Sequence, residues 1–502
     1  MTERPRGVLI SMCLAVSLVV ASVSALNLAL PSIAVDLGAT DKDLTWIADA
    51  YTLALAALVL PLGAIGDRIG RRRVLVAGTA LFAVAAAAAS FAGDPGTLIA
   101  WRAVMGVAAA MIMPGTLSTI TAALPATHVA RGVAIWAGFA SAAAIIGMVL
   151  AGALLEIFDW QSIFVASAVI AIAAGLAATF MAPDTREEER RQVDAVGATT
   201  LAVAIGLLVY GIIEGGEIGW TEPRALIGFG GAAVGLVLWA LSSLRHPQPM
   251  LDPRLYAFEG LKAGSAVVLV QFLAVFGFFF VGLQYLQIVL GYGPLKSALA
   301  LVPIAAVILP ASSASPRLVH RFGLTAVLTA GLALVAAGVA VLALMDADSG
   351  YGMFIGAMLV AGLGFGVGSG AATNAVVSTL PRDRQGIASA VNDANREIGS
   401  AIGIALVGTI FSSGYEDSLP SLAGRVPDAA AEAVHSSAAA GIDVATGLGA
   451  QGEALAATVR DAFMNGFSDA MWVVAAIALV FAVITLVRKP EMGQEPVELE
   501  AG

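Results

Sequence analysis

The sequence predicts an all-α, polytopic membrane protein, and three observations predict it. Hydrophobic residues make up 59% of the 502-residue chain and charged residues 12%, against roughly 25% charged in a soluble domain, and the mean hydropathy is +0.89. Apolar runs recur between short polar breaks, at the length of about 20 residues that a helix needs to cross the hydrocarbon core. Lys and Arg are distributed unevenly between alternate breaks, as membrane insertion demands. This composition excludes a soluble enzyme. The single cysteine, Cys13, has no internal disulfide partner and sits among apolar neighbours, so redox chemistry and Cys-rich zinc sites drop out. The net charge of −10 says little about partners, because in a membrane protein the placement of charge outweighs its sum.

The runs predict spans near 8–30, 45–65, 74–92, 98–120, 132–153 and 161–182, a first block of six. The charged stretch Asp184 to Asp194 follows, then runs near 195–213 and 224–243. A last block lies near 263–290, 297–316, 325–345, 353–378, 387–411 and 466–487. The expectation is fourteen transmembrane helices arranged 6+2+6. The division is an N-terminal bundle over 1–183, a linker with two extra helices over 184–261, and a C-terminal bundle over 262–502. The first run is too long for a signal peptide and lacks its small-residue cleavage site, which predicts a helix of the mature protein.

With both termini cytoplasmic, the inner breaks collect nineteen Lys and Arg and the outer ones five, while Arg102 and Arg396 fall inside spans. Removing one helix would mix the two populations, so the asymmetry supports fourteen. The long loop at about 412–465 falls outside; it carries seven acids against Arg425 and Arg460. Its Ala-rich stretches 428–440 and 452–464 predict two short helices. Such a hairpin either attracts cations locally or serves as a solvated cap.

The break after the second span reads Gly63-Ala-Ile-Gly-Asp67-Arg68-Ile-Gly70-Arg71-Arg72-Arg73. A Gly-permitted tight turn with an Asp and an Arg cluster can latch neighbouring helix ends by ion pairing. The run resembles the G-x-x-x-D-R-x-G-R-[RK]-[RK] loop of the major facilitator superfamily. The second half has a decayed echo in Pro316-Arg-Leu-Val-His320-Arg321-Phe-Gly323, as two related six-helix halves would leave. Further stretches resemble the 14-helix drug:proton antiporters, and within them the quaternary-ammonium and multidrug efflux pumps. These are Asn27 to Pro31, Trp46-Ile-Ala-Asp49-Ala-Tyr51, Ala110 to Pro114, Pro249 to Leu255 and Tyr285-Leu-Gln287. The similarity covers nearly the whole chain. It implies a major facilitator fold and proton-coupled export by rocking two bundles around a central site, with Gly63, Asp67, Arg68, Gly70, Arg71 and Arg72 as the conformational latch.

Charged residues inside spans cost a few kcal/mol each unless paired or hydrated, which makes them functional candidates. Asp49 lies one turn into the second span, and the resemblance implicates an acid there in handling cationic drugs; the alternative is an interfacial residue reached by water. Asp393 and Glu397 are four apart and share a helix face, with Arg396 adjacent. The resemblance implies an acidic pair near this point, where Asp393 matches the second member and Asn392 replaces the first. Arg102 stands where the family has R-x-x-Q-G near its proton-coupling site, with Met105 in place of Gln; it should need a carboxylate or several carbonyls as partners. These four, Asp49, Asp393, Glu397 and Arg102, are the proton-coupling and substrate candidates. Glu214 ends a peripheral helix and reads as interfacial.

Departures from the family matter as much. Ser22 replaces an acid expected five residues before Asn27, and Ile308 lies in a tenth span without the acid some relatives carry. Met148 replaces the Pro of the fifth-span antiporter motif, Gly147-Met148-Val-Leu-Ala151-Gly152, although Gly138, Gly147 and Gly152 still permit close approach. Two lost acids argue against divalent cations as substrates. Trp136, Phe272, Phe276, Phe278, Phe279, Phe280 and Tyr285 line either a drug cavity, through area and cation–π contact, or the lipid.

The expected function is proton-coupled export of lipophilic, cationic or neutral drugs across the cytoplasmic membrane. The alternative is a dedicated exporter of a natural product or lipid with altered coupling. A membrane enzyme or sensor is the third reading, disfavoured because His128, His246, His320 and His435 show no metal-ligand spacing. No Walker A sequence occurs, which argues against ATP-driven transport. The expected partners are a small lipophilic substrate, protons and the bilayer. No cofactor, metal, nucleic acid or second subunit is expected, and the pump is expected to work as a monomer.

Overall fold

The computed structural model describes residues 5–124, 126–183, 194–247, 249, 252–254, 258–378, 385–420 and 427–490. Arg4, Arg186, Arg190, Arg191, Arg382, Arg384 and Arg425 of the charge count lie outside these residues, as do the side chains of Asp67 and Arg131. The described elements are helical. In order they are α1 (Pro5–Leu37), α2 (Asp41–Ile69), α3 (Arg71–Ala89), α4 (Pro95–Ala123), α5 (Ala126–Leu155), α6 (Gln161–Met181), α7 (Ala195–Ile218) and α8 (Pro223–Arg245). There follow α9 (Glu259–Gln284), continued by a π-helical turn Tyr285–Val289, α10 (Pro294–Phe322), α11 (Leu324–Ala343), α12 (Tyr351–Ser378), α13 (Gln385–Ser418), α14 (Asp428–Ser436), α15 (Ala438–Gly447) and α16 (Glu453–Arg488). Among the described residues, twelve helices are long and apolar enough to cross a membrane. α2 and α5, at 29 and 30 residues, are the other two long ones.

Local chemistry fixes several starts. Thr40 and Asp43 form a reciprocal capping box at α2, satisfying donors that the first turn leaves open. Asp94 caps α4 by accepting from the Thr97 backbone at 2.9 Å, with Pro95 preset for the first turn. The joint between α2 and α3 is the single residue Gly70, at φ +125°, a region that a side chain would strain. Gly323, at φ +83°, joins α10 to α11 in the same way. The sequence echo between the halves is thus an echo of backbone geometry.

Two stretches differ from expectation. The acidic hairpin's first helix is present as α14, but its second is α15, over 438–447. The stretch 452–464 is instead the first part of the 36-residue α16, and α13 runs on to Ser418. Packing explains both. The hydroxyl of Tyr415 donates to the Val434 carbonyl at 2.7 Å, and Val459 packs on Gly441, so these polar helix ends are held by the hairpin rather than by lipid.

Cα packing divides the chain into two compact units. The first holds Met1–Leu208, Gly228–Met250 and Gly291–Leu299; the second holds Val209–Ile227, Leu251–Leu290 and Ala300–Gly502. In the first, α2 packs along α4 and α1 along α5; in the second, α9 packs along α13 and α11 along α12. Gly331 and Gly338 of α11 meet Gly364, Gly368 and Ala361 of α12, the small-residue contact that lets helices approach without a hydrophobic driving force. In α6, Val165, Val169, Ile172, Leu176 and Phe180 are exposed on one helical face, as suits a lipid-facing surface. A run of stacked rings with one edge-on contact, between Phe411 and Phe463, links Tyr415, Phe411, Phe463, Phe467, Tyr285 and Phe354, with neighbouring centroids 4.9–6.2 Å apart. All six are buried.

Candidate functional site

The latch residues fall at the Gly70 joint. Gly63 of α2 receives the Pro114 ring of α4, and Arg68 is exposed on the last turn of α2. Arg71 Nη1 donates to the Ser118 carbonyl of α4 at 3.1 Å, and Arg72 Nη1 to the Ala182 carbonyl at the end of α6 at 3.4 Å. The Ala182 carbonyl caps the C-terminus of α6, where the backbone dipole favours positive charge. The other half of the expected ion-pair latch, the Asp67 side chain, lies outside the described residues.

Asp49 and Arg102 belong to the first unit, and both are buried. The Thr52 hydroxyl lies 2.8 Å from Asp49 Oδ1 and 3.0 Å from the Asp49 carbonyl, so one proton serves either. Asp49 Oδ2 is buried without a hydrogen-bond partner. Arg102 Nε donates to the Ile47 carbonyl at 3.1 Å, and its guanidinium carbon sits 4.5 Å from the centre of the Tyr51 ring. No ion pair joins Arg102 to Asp49 among the described residues, and Arg102 Nη2 has no hydrogen-bond partner. Of the partners expected for Arg102, a carboxylate or several carbonyls, the structure shows one carbonyl, joined by a ring face. Trp136 donates to Thr116 Oγ1 at 3.1 Å.

Ser22 is buried, with Ser167 Oγ 3.5 Å away, in a crevice of otherwise apolar residues from α1, α5 and α6 that include Leu18, Gly147, Leu154 and Ile170. Charge there would be costly, which fits the serine. Met148 is buried, and Ile308 packs on Gly362 and Gly366 of α12.

The second unit holds the α13 candidates. Asp393, Arg396 and Glu397 are each half-buried. Arg396 Nη1 lies 3.8 Å from Asp393 Oδ1, and the Arg396 guanidinium carbon is 4.6 Å from the centre of the Phe272 ring of α9. Phe272 is 6.0 Å from Phe276 and 5.7 Å from Phe365 of α12, and all three rings are half-buried. Phe279 is also half-buried, whereas Phe278, Phe280 and Tyr285 are core residues. Next to this cluster, Gln271 is fully buried, with Nε2 3.3 Å from the Gly364 carbonyl and Oε1 unpartnered. Sequence reasoning named the acids and phenylalanines but not Thr52, Tyr51 or Gln271 as their companions. The signal for Tyr51 was its place in the Trp46 to Tyr51 stretch. Glu214 is buried 3.9 Å from Arg224 at the tip of the α7–α8 hairpin.

The arrangement offers Asp49 in the first unit and Asp393 with Glu397 in the second as carboxylates within apolar helices, and each unit holds an arginine on a ring face. Residues 12–404 match the family model of the Major Facilitator Superfamily. The multidrug efflux pump LfrA of Mycolicibacterium smegmatis is 32% identical over 480 residues, 94% of this chain and 94% of that protein. The tetracenomycin C resistance and export protein of Streptomyces glaucescens is 28% identical over 498 residues, 97% of this chain and 92% of that protein. In fold, the chain is similar to a bacterial homolog of the human lysosomal transporter Spinster, with a TM-score of 0.67 at 17% identity over 99% of this chain and 100% of that one. Paired glycine joints, glycine-lined helix contacts and a family match over most of the length agree: the chain is a polytopic membrane transporter that belongs to the Major Facilitator Superfamily.

Proposed function

We propose that this transporter exports lipophilic, cationic or neutral compounds across the cytoplasmic membrane in exchange for protons flowing inward, by alternating access. In this reading it has fourteen spans, both termini lie in the cytoplasm, and a single chain suffices. The observation that carries it is Asp393: a half-buried carboxylate inside a long apolar helix, incompletely paired at 3.8 Å and adjacent to half-buried aromatic rings. Such a group can take up a proton or a cation in turn. Asp49, with one oxygen unpartnered, is the second carrier of charge, and Arg102 and Glu397 adjust the two acids. The name of LfrA, a multidrug efflux pump, supports the substrate class.

The test is purified protein in liposomes containing a pH dye, with tetraphenylphosphonium added to wild type, Asp49→Asn and Asp393→Asn. Wild type moves protons, and Asp393→Asn does not. If wild type moves none for a panel of lipophilic cations and neutral drugs, the reading fails. A second reading, a dedicated exporter of one natural product, then takes its place. It is favoured by the serine and apolar walls at position 22, and by the relative named for tetracenomycin C resistance and export.

A further inference from the structure

We propose that Arg396 is a tethered stand-in for a cationic substrate. From its own helix it occupies the ring face and the carboxylate that a lipophilic cation would use, and it thereby sets which charges the site accepts. The inference rests on the export reading and names the residue that governs its specificity.

The geometry is that of a loosely held cation. The guanidinium lies on the Phe272 ring at 4.6 Å, yet its separation from Asp393, 3.8 Å, is beyond hydrogen-bonding distance. Arg396 Nε is buried with no hydrogen-bond partner, and so is the side-chain oxygen of the neighbouring buried Asn392. An arginine that staples helices engages a carboxylate through two short parallel bonds; this one does not. A guanidinium is flat and weakly hydrated, so it can rest on a ring, and a lipophilic cation can rest on the same ring for the same reason. Phe276 and Phe365, both against Phe272, extend the surface that such a molecule would cover.

Charge arithmetic gives the specificity. Asp393 and Glu397 supply at most two negative charges, and Arg396 cancels one. A monovalent cation balances the remainder by pushing Arg396 off the ring while leaving it in the site. A dication overcharges the site as long as Arg396 stays. A neutral aromatic compound can stack on Phe276 and Phe365 without disturbing it.

Binding to the full chain in nanodiscs tests this, with protein-free discs as blanks. The probes are tetraphenylphosphonium with one charge, dequalinium with two, and neutral Nile red. In Arg396→Gln, tetraphenylphosphonium should bind roughly tenfold tighter, dequalinium should gain more than that, and Nile red should stay within about twofold. Arg396→Lys keeps the charge but not the flat stack, so tetraphenylphosphonium should tighten several-fold there while dequalinium gains less; this variant decides the matter if Arg396→Gln does not fold. Phe272→Leu should weaken both cations. Unchanged or weaker tetraphenylphosphonium binding in both arginine variants overturns the stand-in role while leaving export intact, and an equal change for all three probes reduces Arg396 to packing. If wild type binds none of the probes, the export reading falls together with the inference.

Discussion

The guanidinium of Arg102 rests on the ring of Tyr51, 4.5 Å from its centre, while the hydroxyl of that ring donates to the Val19 carbonyl at 3.1 Å. One side chain thus ties α1, α2 and α4 together around a buried charge. Tyr51→Phe should cost about 1 kcal/mol, the worth of the hydrogen bond. Tyr51→Leu should cost about 3 kcal/mol, because it also strips the buried guanidinium of its ring. Thermal unfolding in detergent separates the two; equal small losses would mean that the ring does nothing for Arg102.

Gly70 and Gly323 adopt backbone angles that side chains resist. Gly70→Ala and Gly323→Ala should each lower stability by about 1–3 kcal/mol. Gly206→Ala is the control, since that helical glycine has open space where a Cβ would go and should change stability little or raise it slightly. Similar thermal transitions for all three would show that the joints carry no strain.

Gly403 of α13 lies against the backbone of Leu273 on α9. Gly403→Val should force the two helices apart, costing about 3 kcal/mol. Because α9 carries Phe272 and α13 carries Asp393, transport should fall further than the loss of folded protein explains. Uptake normalised to folded protein in liposomes reads this out, and transport that only tracks folded protein would argue against a link.

Asp94 caps α4 from outside the membrane segment. Its hydrogen bonds from the Thr97 hydroxyl and backbone hold its carboxyl below the ordinary 3.8. A depressed folded-state value means that the ionised cap stabilises the fold above the ordinary value, and that this contribution disappears as pH falls through the folded one. Asp94→Ala should therefore unfold at a lower temperature than wild type at pH 7, with the gap closing below about pH 4. A gap independent of pH would assign the effect to something other than the charge.

The span pattern was legible because lipid imposes a length and an apolar composition that local sequence cannot hide. Less legible were 412–418, whose polar composition reads as loop, and the continuity of 453–465, expected as a separate short helix, with the last span; Tyr415 on Val434 and Val459 on Gly441 show what these ends pack against. Among the site residues, Asp49 and Asp393 stood out as charges within apolar runs. Their surroundings did not, since the Phe272 ring that carries Arg396 lies on a helix far away in sequence. Arg102 is the instructive case: its charge called for a carboxylate or several carbonyls, and packing supplied one carbonyl and a ring that the sequence did not point to.

The one-residue joints at Gly70 and Gly323 leave no slack between the helices that they connect. A longer loop would absorb a tilt of one helix by flexing, whereas a single hinge residue passes most of it to the next. α2 with α3, and α10 with α11, therefore behave as bent levers rather than as beads on a string. Relative tilting within these two pairs then falls on the joint itself and on the helices, where Pro61, Pro303, Pro310 and Pro316 interrupt the backbone ladder.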